Sequence, residues 1–314
     1  MTGRPQVPSG TQTGHIFRVA VIGLGSMGFG IASSLRRAGF SVVAFDVAAA
    51  RMERFAAEGG FCAASPAEAA TDADAVVSVV VNAAQTEEIL FGPNGAAESM
   101  PNEAVLISSA TMEPEAAIRL AKRLEASGRH YLDAPISGGA QRAAEGALTI
   151  LASGSTAAFA KAQPALNAMA AKLYELGDTP GTGAAFKMIN QLLAGIHIVA
   201  ACEAMTFAAK QGLDIQRVYE VITASAGNSW MFENRMPHVL AGDYTPHSAV
   251  DIFVKDLGII QDMARSAKFP VPVAAAALQM FVMASAAGMG QEDDASVARL
   301  YAQVTGISLP DATS

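Results

Sequence analysis

Gly23-Leu24-Gly25-Ser26-Met27-Gly28 follows an apolar run, Phe17 to Ile22, and precedes a helical pattern, Phe29 to Ala38, that is closed by Gly39. Ser41 to Phe45 then reads as a second strand. Strand, glycine turn, helix and strand within about thirty residues is the length of one βαβ unit. In G-x-G-x-x-G the first glycine permits the tight turn, the second lets backbone approach a pyrophosphate, and the third lets helix and strand pack closely. The helix N-terminus adds unpaired N–H groups and a partial positive charge, both suited to phosphate. By itself the motif is also an ordinary glycine-rich turn. Its place between strand and helix makes Gly23, Leu24, Gly25, Ser26, Met27 and Gly28 a dinucleotide site.

Asp46 ends the second strand, 18 residues after Gly28. A carboxylate there accepts bonds from the adenosine ribose hydroxyls and repels a 2′-phosphate. Val47 beside it brings no positive charge, so NAD is expected over NADP. Two alternatives stay open: Asp46 as a cap for the following helix, and Arg51, one turn on, as a phosphate partner.

The alternation continues. Ala75 to Val81 is a near-continuous valine run, as in a parallel strand covered on both faces. Ala104 to Ile107 is a further strand, Pro114 opens a helix to about Ser127, and Tyr131-Leu132-Asp133 begins a strand that leads into Pro135-Ile136-Ser137-Gly138-Gly139. More strands are expected at 147–152 and 172–176. After Gly181 the strand signals stop. Ala184 to Gln211 reads as one long helix with no formal charge between Lys187 and Glu203. A helix apolar on every side belongs inside a larger body. Helical patterns follow at 214–225, 248–267, 272–288 and 294–305, the last opening on Asp293-Asp294, where carboxylates suit a helix N-terminus. The expected architecture is an α/β Rossmann-type doubly wound sheet domain over 17–180, then an all-α domain over 181–314 joined through the long helix. A loose tail, 1–16, rich in Gly, Pro, Ser, Thr and Gln and without an apolar signal core, precedes them.

Composition narrows the function. With 21 basic against 29 acidic residues the chain shows neither the basic excess nor the stripe of a nucleic-acid binder. Charged residues make up 16% of the chain, below the roughly 25% usual for soluble domains. Extensive burial follows, and with it a subunit interface. The longest apolar stretches, 188–202 and 269–291, are broken by Gln, Asn, His, Gly or Pro, so buried helices are expected and no membrane span. Cys62 and Cys202 lack metal-type spacing and read as buried free thiols in a cytoplasmic protein.

Transfer of a hydride from an alcohol carbon needs a group that takes the hydroxyl proton. Lys187 begins the uncharged helix just after Gly181-Thr182-Gly183, where partial desolvation lowers a lysine pKa toward neutrality. Asn190 and Gln191 follow at i+3 and i+4 and project from the same face. The position equally suits a snorkelling surface lysine. Ser137-Gly138-Gly139 offers successive backbone N–H groups and a hydroxyl to a carboxylate, or is an ordinary turn. His197 reads as a core histidine, and His238 and His247 sit in a loop-rich stretch. No cluster suggests a metal, and no G-x-S-x-G suggests a hydrolase.

The chain resembles the β-hydroxyacid dehydrogenase family, typified by 3-hydroxyisobutyrate dehydrogenase. Four ordered motifs carry the resemblance: G-L-G-S-M-G at 23–28, D-A-P-I-S-G-G at 133–139, G-T-G-A-A-F-K-M-I-N-Q at 181–191 and K-D-L-G at 255–258. The resemblance implies that Lys187 is the catalytic acid–base and that Ser137, Gly138 and Gly139 hold the substrate carboxylate. It further implies that Asn190 or Gln191 orients a small anionic hydroxy acid, with Asp256 also at the substrate, and that Lys255 closes over the cofactor. Thr111 matches a threonine beside the nicotinamide ribose, although the serine expected before it is Ala110 here. Asn82 is likewise expected at the cofactor. The stretch 228–259 is similar to the L-threonate dehydrogenase branch, whose members oxidise a C2 hydroxyl to the 2-oxo acid with NAD. Trp230, Phe232, Asn234 and Arg235 would line a pocket for a polyhydroxylated chain, or simply pack the helical domain. Competing readings are a 2-hydroxy-3-oxopropionate (tartronate semialdehyde) reductase and a 3-hydroxyisobutyrate dehydrogenase. From another class comes an inactive cofactor-binding interaction module, which the presence of Lys187 opposes. The family implies a homodimer or homotetramer.

Overall fold

The computed structural model describes residues 16–311, so all but the last residue of the expected tail lies outside the described residues. β1 (Arg18–Ile22), α1 (Ser26–Arg37), β2 (Ser41–Phe45), α2 (Ala49–Ala57) and β3 (Phe61–Cys62) alternate along the chain. They are followed by α3 (Pro66–Ala70), β4 (Ala75–Ser78), α4 (Ala83–Phe91), α5 (Ala96–Ser99), β5 (Val105–Ser108), α6 (Pro114–Glu125) and β6 (His130–Asp133). The six strands pair in parallel in the order β3-β2-β1-β4-β5-β6. The strand order reverses between β1 and β4, and a doubly wound sheet opens a binding crevice at the carboxyl ends of strands at such a switch. The glycine turn stands there. The valine run behaves as a doubly covered strand: Val77 enters the apolar layer on one face and Val76 the layer on the other. It ends at Ser78, three residues sooner than its composition implies.

The strands expected near 147–152 and 172–176 do form, but they leave the main sheet. β7 (Ile136–Ser137), α7 (Gly139–Glu145), β8 (Leu148–Ala152), α8 (Thr156–Met169) and β9 (Ala170–Glu175) make a second sheet, ordered β7-β8-β9. Pro135, just past β6, has no N–H with which to continue a ladder. Its carbonyl instead accepts from Leu151, turning the chain across β8.

The rest is helical: α9 (Thr182–Lys210), α10 (Ile215–Thr223), α11 (Trp230–Ala241), α12 (Val250–Ser266), α13 (Pro272–Ala284) and α14 (Val297–Thr305). A π turn, Ser285–Met289, follows α13, and a 3₁₀ turn, Asp294–Ser296, precedes α14. By length and composition Thr182–Lys210 and Pro272–Met289 are each apolar enough to cross a membrane. The first is the pillar against which α10 to α14 all pack. Gly195 lets α12 come close, since a Cβ there would stand 2.9 Å from Leu257.

Two local expectations are corrected. His238 lies within α11, where Ser229 caps the helix by accepting from Phe232 N–H and Pro237 sits inside it. The stretch was expected to be loop-rich; the helix holds because its buried face, Met231, Phe232, Met236 and Val239, packs into the helical core. Cys62 is exposed at the sheet edge, while Cys202 is a buried free thiol as expected. In the helical core the Phe281 ring stacks on Phe253 at 5.0 Å and is fully buried. Phe281→Ala should therefore cost about 3–5 kcal/mol of unfolding free energy, read by denaturant titration of the helical signal.

Candidate active site

Gly23 takes φ +101° at the end of β1, and its N–H donates to Phe45 O at 2.8 Å. A side chain there would press on the Val79 carbonyl, and one at Gly28 would run into Gly23's own carbonyl oxygen. Gly25 is different. It is the N-cap of α1, no side chain caps that helix, and the space where its Cβ would stand is open. The free N–H groups of the first turn, begun by Ser26 with Met27 half-buried beside it, therefore face an uncrowded cradle that fits a dinucleotide's phosphates. Asp46 closes its side: one carboxylate oxygen accepts from Leu24 N–H at 2.6 Å and the other from Ala48 N–H at 2.8 Å. Arg51 folds onto the same carboxylate at 3.3 Å. The helix that follows, α2, has Ala48 at its N-cap and no side-chain cap, so Asp46 serves the turn and not the helix end.

Across the crevice Lys187 stands in the second turn of α9, 7% exposed, with its amine donating to Ile136 O at 2.8 Å. Burial drives its pKa down to about 8; the Asp256 carboxylate pulls it up again, and Lys255 pushes it down. Ile136 adjoins the 137–139 turn, where Gly138 (φ +136°) and Gly139 (φ +77°) take successive conformations that only glycine adopts freely. β7 pairs Ser137 with Thr149 and holds that turn in place. Lysine and turn thus share one short segment.

Gln191 and Asn190 diverge in environment. Gln191 is buried and its amide donates to Asp256 Oδ2 at 2.5 Å, while exposed Asn190 donates to Gln191 Oε1 at 3.0 Å. Asp256, 1% exposed, also pairs with Lys255 at 2.6 Å. Its carboxylate is thus engaged by its own neighbours, Gln191 on one oxygen and Lys255 on the other. The Lys255 amine reaches over to Val81 O at 2.9 Å and Thr111 O at 3.4 Å, tying α12 to the loops after β4 and β5. Asn82 lies beside Val81 and caps α4 by accepting from Gln85 N–H at 2.9 Å.

The expected polyol pocket assembles only in part. Phe232 is buried, its ring stacked on Tyr219 at 5.9 Å. Arg235 is buried against Asp294, with its Nε donating at 2.6 Å, and also bonds Asn234. Both residues sit on the face that α11 turns into the helical core, the packing alternative of the two expected for them. Trp230, 50% exposed, lines a cavity of about 380 Å³ with Tyr219, Thr223, Glu233 and Asn234. His238 meets Asp293 at 3.0 Å and packs its ring on His247. Among the described residues no group of His, Cys, Asp and Glu is arranged to hold a metal. Sequence reasoning missed the Gln191–Asp256 bond and the acceptors Ile136 and Val81. Backbone carbonyls carry no residue signature, and residues 65 apart in sequence show no spacing.

Residues 18–177 match the model for the NAD-binding domain of 6-phosphogluconate dehydrogenase, and 181–301 match the NAD-binding model of NADP-dependent 3-hydroxyisobutyrate dehydrogenase. The chain is 55% identical over 292 residues to L-threonate dehydrogenase of Cupriavidus necator, covering 93% of this chain and 97% of that one. It is 49% identical to L-threonate dehydrogenase of Escherichia coli K12, over 96% of this chain and all of the relative. A crystal structure described as 3-hydroxyisobutyrate dehydrogenase from Salmonella typhimurium superposes with a TM-score of 0.86 at 49% identity, covering 90% of this chain and 99% of that one.

The charges around Lys187 make a directional test. Asp256→Asn removes the group that raises the lysine pKa and leaves Lys255 unbalanced, so the Lys187 midpoint should fall below about 8. Competitive acetylation of Lys187 followed by mass spectrometry across pH reads that midpoint.

Proposed function

The chain belongs to the 3-hydroxyisobutyrate dehydrogenase-like family of NAD(P)-dependent oxidoreductases acting on CH–OH groups, and from that premise we propose that it oxidises the C2 hydroxyl of L-threonate to the 2-oxo acid with NAD. The observation that carries the chemistry is the buried Lys187 amine, held on Ile136 O beside the 137–139 turn. The turn takes the substrate carboxylate through backbone N–H groups and the Ser137 hydroxyl, which sets C2 and its hydroxyl before the amine. Neutral Lys187 accepts the hydroxyl proton as the C2 hydride departs. NAD, when bound by 23–28, Asp46, Asn82 and Thr111, supplies the hydride acceptor. Exposed Asn190 orients the substrate, while Gln191 is fixed from behind by Asp256. Lys255 closes the cleft by spanning the Val81 and Thr111 carbonyls, and Trp230 borders the distal end of the substrate.

The substrate is carried by the near full-length similarity to L-threonate dehydrogenases. A second reading, 3-hydroxyisobutyrate oxidation, is favoured by the description of the Salmonella typhimurium structure at comparable identity. NAD is preferred over NADP because the Asp46 carboxylate, although Arg51 lies against it, stands where a 2′-phosphate would go. The enzyme works in the cytoplasm, where its cofactor is recycled. It works as a homodimer or homotetramer, since Phe186, Ile189 and Leu193 make an exposed apolar stripe on α9 that a second copy would cover. Leu193→Asp should then yield a smaller species by sedimentation.

A panel of L-threonate, D-glycerate and 3-hydroxyisobutyrate assayed with NAD and NADP tests the reading. Threonate with NAD should give the highest kcat/KM, and turnover of D-glycerate alone would sink it. Lys187→Ala should retain NAD binding while turnover drops about 10²- to 10⁴-fold. Because only the neutral amine accepts a proton, wild-type oxidation should rise with pH through about 8 and fall away below it.

A further inference from the structure

α9 begins at a residue that cannot cap it. Gly181 holds the N-cap position at φ +101° and has no side chain for the free N–H groups of the first turn. An α-helix leaves four such donors, and a buried one without a partner is costly. Here the partners come from two strands of different sheets. Asp133 Oδ2, at the end of β6, accepts from Gly181 N–H at 2.9 Å and Ala184 N–H at 2.8 Å. Ser153 Oγ, just past β8, accepts from Gly183 N–H at 2.9 Å and lies 3.3 Å from Asp133 Oδ2, to which it donates. Asp133 and Ser153 are locked to each other by reciprocal backbone bonds of 3.0 and 2.8 Å. Both are fully enclosed by protein. Burial lifts the Asp133 carboxyl to about 6 against the pull of its three donors. The carboxyl faces the positive end of a 29-residue helix.

This cap and the lysine refer to the same stretch of chain. Lys187 lies six residues after Gly181, and its amine ends on Ile136 O, three residues after Asp133. The 137–139 turn starts at the next residue. We propose that Asp133 and Ser153 are positioning residues for the proposed proton transfer, capping α9 from across the chain so that Lys187 is held in register with the 137–139 turn. The inference rests on the reading of Lys187 as the acid–base. The pair acts through geometry, since the charges that bear on the Lys187 amine are those of Asp256 and Lys255. The turn itself is held by the β7–β8 pairing and does not depend on the Asp133 carboxylate.

Asp133→Asn and Ser153→Ala, each in the full chain, separate positioning from binding and from bulk stability. The measurements are kcat and KM on the hydroxy acid that wild type turns over, the pH midpoint of kcat, and hydrogen exchange over 182–190. A displacement near 1 Å is enough to cost about 10²-fold, so kcat should fall by up to that factor in Asp133→Asn and by less in Ser153→Ala. KM and the pH midpoint should stay where they are, and exchange in the first turn of α9 should quicken. Unchanged kcat in both variants makes the cap merely structural and overturns the proposal. A KM rise that accounts for the whole loss in kcat/KM overturns it too, because Asp133 would then act on the substrate. If Asp133→Asn does not fold, Ser153→Ala decides by the same criteria. Wild type that turns over no hydroxy acid defeats the functional reading instead. The acetylation rate of Lys187 in the variants then decides the positioning, and a rate equal to wild type refutes it.

Discussion

An amine withdrawn from water must be given acceptors, and the placement of Lys187 orders much of the molecule around that need. The fall from the ordinary lysine value of 10.5 to about 8 corresponds to about 3 kcal/mol between the two protonation states. The fall stops there because Asp256 places a negative charge nearby, while Ile136 O accepts a hydrogen bond from the amine. Asp256 is itself buried, and a buried carboxylate left alone would cost several kcal/mol. It is satisfied by Gln191 from α9 and Lys255 from α12. Lys255 in turn reaches the carbonyls of Val81 and Thr111 in the loops after β4 and β5. One desolvated amine thereby draws together two helices, one strand and two loops that belong to different halves of the chain.

The sheet half was legible because its local signals agree. A glycine turn after an apolar strand, a valine run covered on both faces and a proline at a helix start each have one cheap conformation, and β2 falls on 41–45 as its pattern implies. The long helix was legible for the opposite reason: it lacks charge over four turns, and only an interior position tolerates that. What stayed hidden was set by partners remote in sequence. Leu148–Ala152 is strand by composition, but its departure into a second sheet follows from Pro135 and from the Asp133–Ser153 bridge. The stretch holding His238 read as loop-rich, yet α11 forms there around Pro237 because Met231, Phe232 and Met236 pack into the helical core.

The site shows the same division. Lys187, Asn190, Gln191 and the 137–139 turn could be picked out as candidates because the residues lie close together in sequence and their chemistry is in the side chains or the glycines. Arg235 and Phe232 stayed open between pocket and packing because polar and aromatic character reads the same in a pocket and in a core. Only Asp294, 59 residues away, shows that the guanidinium is already engaged.

Asp46 holds two obligations at once. Its carboxylate faces the adenosine side of the nucleotide cradle, and it also fastens the glycine turn by accepting from Leu24 N–H at 2.6 Å. Cofactor choice in this fold is therefore coupled to loop rigidity. Any exchange of the acid for a group that takes a 2′-phosphate would unlatch the turn in the same step. The change becomes viable only after another acceptor has taken over the Leu24 amide. The proposed preference for the unphosphorylated dinucleotide would thus rest on mechanics as well as on charge repulsion.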